Sequence, residues 1–442
     1  MLKISKFFLA AISTILLTPL TWADSLSDIY RSALQNDPVL RASRAIYMAE
    51  KETVQQGKAV LLPQLSASAG YTETDNKNAS TDSHSETTGY SLNLSQALFN
   101  LPAWFQLQTV KQMSQSAQAD FAAHQQALII RVSEAYLNVL RAHSNGETRQ
   151  AEKRAIQRQL EQTRERFEVG LIPITDVHEI QAIFDEATVN SLEARGALDI
   201  AFEQLQVLTG HRHSALAGLK NKFVALDPNP LDASAWVDFA LANNLQLKSS
   251  QLAKQASNST AKAAKYQQLP QITASVNYNK YDKLPIDEIS RVPEQSSIRL
   301  NLSMPIYSGG LLSSQRRQAA YRATAAEERF IATQRNTVQS ARSTHQLVVT
   351  NAARVKARKQ AITSADSALK ATQAGYEVGT RNIVDVLMGQ RTLYQAQRNY
   401  ASARYDYILS MMRLKEVAGQ LSPEDIFKLD SWLSPDIVIS RQ

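Results

Sequence analysis

The chain has 442 residues, with Lys+Arg 48 against Asp+Glu 41 for a formal net charge of +7, and no cysteine. The missing cysteine excludes a disulfide framework, a thiol nucleophile, a thiolate metal site and lipoprotein acylation. The positive charge is dispersed and makes no case for nucleic acid as a partner, while 14 Gly and 13 Pro in so long a chain fit extended helices better than a loop-rich enzyme.

Residues 1–23 carry Lys3 and Lys6, run apolar from Phe7 to Leu20 and close on Thr21, Trp22 and Ala23. These are the three regions of a secretory signal, with a mature start at Asp24. The apolar stretch is shorter than the roughly 20 residues of a spanning helix, and no other segment supplies one. If the mature chain crosses a membrane it does so with strands, and in lipid strands must close into a barrel.

A helical opening leads to two alternating stretches. Leu65, Ala67, Ala69 and Tyr71 oppose Ser66, Ser68, Gly70 and Thr72, and Tyr90, Leu92 and Leu94 oppose Ser91, Asn93 and Ser95. Period two with one polar face predicts strands over about 64–73 and 89–98. The polar stretch between them, Glu73 to Thr88, reads as a loop. The period then changes: from Ala103 to Phe167 there is no proline, and Gly146 is the only glycine. A helix over about 100–167 would be close to 100 Å long, which exceeds a compact domain. A return helix over about 175–209 shows Ala194, Leu198, Ala201, Leu205 and Leu208 at heptad-like steps, with alanines that let neighbouring helices approach closely.

The second half echoes the first at an offset of about 208 residues. Leu62-Pro63-Gln64-Leu65 pairs with Leu269-Pro270-Gln271-Ile272, Leu92-Asn93-Leu94-Ser95 with Leu300-Asn301-Leu302-Ser303, and Phe167-Glu168-Val169-Gly170 with Tyr376-Glu377-Val378-Gly379. The order of matches predicts a duplicated unit: a first repeat over 24–235 and a second over 236–417, followed by a tail over 418–442 that leaves the helical core. The second repeat has predicted strands over about 271–280 and 296–305, with Asp282 to Gln295 as a loop. Its long helix is predicted over about 311–376 and its return helix over about 382–417. Taken alone, the strands fit two soluble hairpins as well as a membrane wall. Four strands are too few to close a barrel with a useful lumen, so closure in a membrane requires several copies of the chain; the arithmetic admits any suitable multiple of four.

With the duplicated unit in view, the chain resembles TolC-family outer-membrane proteins over essentially its whole mature length. The sharpest marks are Phe167-Glu-Val-Gly170-Leu-Ile-Pro-Ile-Thr-Asp176-Val177 and Gly375-Tyr-Glu-Val-Gly-Thr-Arg381-Asn-Ile-Val-Asp385-Val-Leu387, together with Ser27 to Pro38 and the passage Leu94 to Asn100. The resemblance implies a mixed α and transmembrane β fold. In it a homotrimer shares a twelve-stranded barrel continuous with a coiled-coil periplasmic tunnel, and a mixed equatorial region surrounds the middle. It also implies outer-membrane lipid as surroundings, a periplasmic adaptor, and an inner-membrane transporter of RND, MFS or ABC type. The implied function is the exit duct of a tripartite efflux or type I secretion system.

The resemblance also implies site residues. A latch that closes the periplasmic entrance matches Thr175, Asp176, Tyr376 and Arg381; helix capping by Thr175 or Asp176 and a plain surface charge at Arg381 are the alternatives. Asp385 matches the carboxylate lining the narrowest point. One helical turn deeper, where the fuller family pattern has a second aspartate, stands Met388, an apolar collar in its place. The turns Gly170, Leu171, Ile172, Pro173 and Gly379, Thr380 are expected adaptor-contact tips, or simply chain reversals. No catalytic motif, cofactor site or metal site is read from the sequence. A rival reading is a non-conducting periplasmic scaffold or surface adhesin, and the residues do not distinguish drug, metabolite or protein as cargo.

Overall fold

The computed structural model describes residues 23–78, 81–220, 223–282 and 294–441. The expected signal over 1–23 lies outside them except for Ala23, as does most of the expected loop from Asp282 to Gln295. Among the described residues no helix is long and apolar enough to cross a membrane.

Helices α1 (Leu26–Asn36) and α2 (Pro38–Ala59) meet at Asp37, whose carboxylate caps α2 through the Leu40 N–H at 2.8 Å. The same buried carboxylate receives two bonds from the Arg131 guanidinium, at 3.1 and 2.7 Å, which fixes the corner to the helix beside it. Strands β1 (Gln64–Asn78) and β2 (Thr81–Phe99) follow, then α3 (Leu101–Glu168) and α4 (Ile174–Thr209). A short strand β3 (Ala215–Leu219) and helices α5 (Ala233–Asn243) and α6 (Leu245–Lys265) lead to β4 (Gln271–Asp282), β5 (Glu294–Ser303), α7 (Leu311–Glu377) and α8 (Ile383–Val417). Helix α9 (Pro423–Asp430) and strand β6 (Leu433–Ser440) complete the chain. The long helices have 68 and 67 residues and their returns 36 and 35. At 1.5 Å per residue the long ones span about 100 Å.

The four longer strands form one antiparallel sheet in the order β1-β2-β4-β5. Its register places Leu65, Leu94, Val276 and Ile298 in one row across all four strands. These side chains are 72%, 40%, 43% and 86% exposed, so among the described residues no element packs over the apolar row. The adjacent row is Ser66, Asn93, Asn277 and Ser297. Among the described residues, β1 and β5 each pair on one side only.

The first hairpin is longer than its sequence suggests. The stretch read as a loop from Glu73 to Thr88 is mostly paired strand, with Thr72 opposite Thr87 and the ladder continuing to Asn78 opposite Thr81. Polar side chains exclude burial but not pairing: a two-stranded ribbon satisfies its backbone while both faces meet water. The tail, expected to leave the helical core, forms α9 and β6, the latter pairing with β3, and returns Ile426, Leu429, Leu433 and Ile439 to the main core.

The main core sits halfway along the long helices α3 and α7, at the C-terminal ends of α4 and α8. It joins Leu26 and Ile29 of α1, Tyr136 and Leu140 of α3, Leu205 of α4, Ile408 of α8 and Ile426 of α9. Tyr136 is fully buried and its hydroxyl donates to the Ala217 carbonyl at 2.6 Å, tying β3 to α3. A separate smaller core, including Ile156, Leu160, Ile180, Leu369 and Val386, holds the far ends of α3, α4, α7 and α8 together. The heptad reading of α4 holds: Ala194, Leu198, Ala201 and Leu205 are buried and Leu208 packs partly against the core.

Candidate functional site

The two helical reversals are built alike. Helices α3 and α7 end at Val169 and Val378, and the next residues, Gly170 and Gly379, have φ of 76° and 78°. That left-handed conformation favours glycine and lets the Leu171 and Thr380 N–H groups close back on Arg166 and Gly375 carbonyls at 2.9 and 2.8 Å. At the second reversal Arg381 lies over the helix end: a Cβ on Gly375 would come within 2.9 Å of its Cγ. Apolar side chains project from the tips, with Val169 70%, Leu171 72% and Val378 74% exposed.

The helices that start after the turns differ in their caps. At α4 the N-cap is Pro173, without a side-chain cap bond. Thr175 and Asp176 therefore do not cap; the Thr175 hydroxyl donates to the Asp176 carboxylate at 3.3 Å. At α8 Asn382 and Asp385 form a reciprocal capping box, the Asp385 N–H donating to Asn382 at 2.8 Å. Asp385 thus caps its own helix while the Arg381 guanidinium stands 3.8 Å away. Met388 is 64% exposed.

Within the chain Arg381 and Tyr376 do not meet Asp176. The Tyr376 hydroxyl instead accepts from Arg166 of α3 at 2.6 Å, and that guanidinium lies 5.2 Å from the ring centre. Sequence reasoning missed Arg166. One signal for it was available: Tyr376 replaces its counterpart Phe167 with a ring whose hydroxyl needs a partner.

A second polar group that spacing did not reveal lies farther in. Arg398 of α8 donates to Glu152 of α3 at 2.8 Å, and Arg149 donates to the same carboxylate at 3.2 Å. Burial pushes the Arg398 guanidinium below its ordinary range, against the opposing pull of Glu152. Glu152, Met388, Arg391 and Arg398 line one cleft, so this buried pair lies close behind Met388. His211 and His213 do not converge on an ion: His213 lies between Asp24 and Thr209, both at 2.8 Å, and His211 meets Asn36. Among the described residues, no group of His, Cys, Asp or Glu could hold a metal.

Among the described residues the sheet is open at both edges and its apolar row is exposed, and it is carried on helices about 100 Å long, the architecture of an outer-membrane channel protein. Residues 29–211 and 236–420 match the family described as outer membrane efflux protein, and the chain belongs to that family, as an outer-membrane channel protein of TolC type. It is 37% identical to outer membrane protein TolC of Vibrio cholerae, over 97% of each chain. It is 29% identical to the alkaline protease secretion protein AprF of Pseudomonas aeruginosa, over 92% of this chain and 86% of that one. Among solved structures, the CmeC outer membrane channel of Campylobacter jejuni superposes with a TM-score of 0.79 at 15% identity, covering 97% of both chains. VceC of Vibrio cholerae gives 0.77 at 18% identity, over 89% of this chain and 96% of that one. These two likenesses concern the fold.

Proposed function

We propose that the chain is one third of an outer-membrane exit duct through which a tripartite efflux or type I secretion system expels small toxic compounds or proteins. The observation that carries this reading is the four-stranded sheet, whose edge strands are, among the described residues, paired on one side only, with an exposed apolar row running across it. Unpaired edges in lipid are untenable, and three copies supply twelve strands, enough to enclose a lumen. Near-equal helix lengths in the two halves, and the family match falling separately on each half, support descent from a duplicated unit. In the trimer the paired long helices would continue the barrel as a tunnel. A periplasmic adaptor would dock at the tips around Gly170 to Pro173 and Gly379 to Thr380, where exposed apolar side chains offer contact area, and an inner-membrane transporter of RND, MFS or ABC type would drive the cargo.

Because the sequence has no cysteine, the assembly can be tested cleanly. One cysteine on β1 and one on β5 should give oxidised trimers in the outer membrane, with channel activity in planar bilayers. A water-soluble monomer without conductance would overturn the reading in favour of a scaffold.

At the entrance, the exposed Arg381 guanidinium, 3.8 Å from Asp385, would reach the Asp176 carboxylate or Thr175 hydroxyl of an adjacent coiled coil, and Tyr376 would add a hydroxyl held by Arg166. Such partly hydrated bonds contribute a few kcal/mol at most, which adaptor contacts can offset. Asp385 would form a ring of three carboxylates, with Met388 a turn deeper. A Met388→Asp variant adds three more. Each added carboxylate is worth about 1 kcal/mol to a nearby cation in wet surroundings, so block by hexamminecobalt should tighten by roughly tenfold or more. Unchanged block would remove Met388 from the lumen.

A further inference from the structure

We infer that the level where the helices meet the sheet is a binding belt for anionic phospholipid of the leaflet on the helix side, an inference that rests on the reading of the sheet as membrane-spanning. Four segments reach this level: the end of α2, the start of α3, the end of α6 and the start of α7. Across residues 53–64, 96–119, 255–271 and 304–326 the sequence contains no Asp or Glu. Acids return at Glu52, Asp120 and Glu327. The acid-free band is at least about 10 Å deep along each helix, comparable to a headgroup layer.

The same band displays Lys58, Lys262, Lys265, Arg316 and Arg317, all exposed. Among the described residues none of the five has a carboxylate in ion-pair range. Lys262 and Lys265 lie over aromatic rings, 5.9 Å from the centre of Phe105 and 5.8 Å from that of Tyr266. Those two rings stack at 5.2 Å, and Trp104 meets Phe105 edge-on at 5.0 Å. Amphipathic rings with ammonium groups beside them are what a membrane–water boundary selects. Above them an apolar collar that includes Phe99, Trp104, Met304, Ile306 and Tyr307 is exposed.

The helix faces place Lys262, Arg316 and Arg317 on the outside. On α6, Ala256, Ser259 and Thr260 meet α3, while Ser250 and Lys254 meet α7. At about 100° per residue these flanks leave one narrow free face, with Ala253 and Ser257, and one wide free face, with Lys262. In a curved wall the narrow face is the concave one. Arg322 and Arg329 line the groove beside Ala253 and Ser257 and so face the lumen. Arg316 and Arg317 lie roughly 120° to 140° around α7 from Arg322, away from that groove.

Convex, unpaired cations directly below an apolar face fit the phosphates of anionic phospholipid. Each contributes on the order of fivefold to the affinity for an acidic membrane surface. The test uses the assembled mature protein in phosphatidylcholine vesicles with and without phosphatidylglycerol, read by native mass spectrometry of retained lipid and by conductance. The wild type should retain phosphatidylglycerol over phosphatidylcholine by on the order of tenfold or more. The variant Lys262→Gln/Lys265→Gln/Arg316→Gln/Arg317→Gln should lose that preference while conducting as before. Equal retention of both lipids by the wild type, an undiminished preference in the variant, or displacement of phosphatidylglycerol by lipopolysaccharide would overturn the belt. Failure of the wild type to insert and conduct would instead overturn the membrane-spanning reading on which it rests.

Discussion

Arg398→Ala is expected to destabilise the entrance half of the coiled coils by about 3–5 kcal/mol, the usual cost of removing one partner from a buried ion pair. Arg398 is 8% and Glu152 6% exposed, their contact is 2.8 Å, and Gln395 accepts a further bond from Arg398 at 2.9 Å. Without the guanidinium, Glu152 keeps only the longer bond from Arg149, and its carboxylate stays desolvated between α3 and α8. Because the pair joins α3 to α8 behind Met388, its loss should also loosen the entrance proposed there. Thermal unfolding should therefore begin several degrees lower, and resting conductance should rise. The paired change Glu152→Leu with Arg398→Met should recover most of the stability, since a buried ion pair replaced by apolar side chains of similar size is often neutral or better. If Arg398→Ala melts with the wild type, or if the paired change is as damaging as the single one, the pair does not hold α3 to α8.

That pair illustrates what local sequence patterns carry and what they omit. The long helices were readable because their signal is continuous: no interior proline, few glycines, and heptad steps such as Ala194, Leu198, Ala201 and Leu205. The strands were readable from alternation, and their register follows it, since a slip of one residue would move Leu94 and Val276 to the polar face. The outer part of the first hairpin was not readable, because Glu73 to Thr88 is almost wholly polar, so pairing leaves no apolar alternation to find. The reversals were marked by glycines whose left-handed conformation the turn requires. The side-chain partnerships behind them join residues 210 positions apart for Arg166 with Tyr376 and 246 apart for Glu152 with Arg398. Spacing rules reach three or four residues along a helix, and neither partnership leaves a mark at that range. Capping, the alternative reading for Thr175 and Asp176, is likewise decided outside local spacing: the two follow Pro173 without a side-chain cap bond, while a reciprocal cap box joins Asn382 and Asp385.

The sheet gives the sharpest contrast between neighbouring residues. Val276 lies between Leu94 and Ile298 on the apolar face, while Asn277 lies between Asn93 and Ser297 on the other. A charge facing the middle of the lipid costs about 2–4 kcal/mol, whereas one facing the lumen is tolerated and tunes selectivity. Val276→Arg should therefore cut the fraction of chains folded into vesicles severalfold, read as loss of the trimer band on an unheated gel. Asn277→Arg should insert normally and shift the conducted current toward anions. Because side chains alternate along a strand, moving the same arginine by one position changes its surroundings from hydrocarbon to water while leaving length, hydrogen bonding and total charge alone. A soluble hairpin pair, or a sheet covered by another protein, predicts no such asymmetry of insertion. Equal tolerance of the two substitutions would remove lipid from the apolar face, and greater damage from Asn277→Arg would invert the wall.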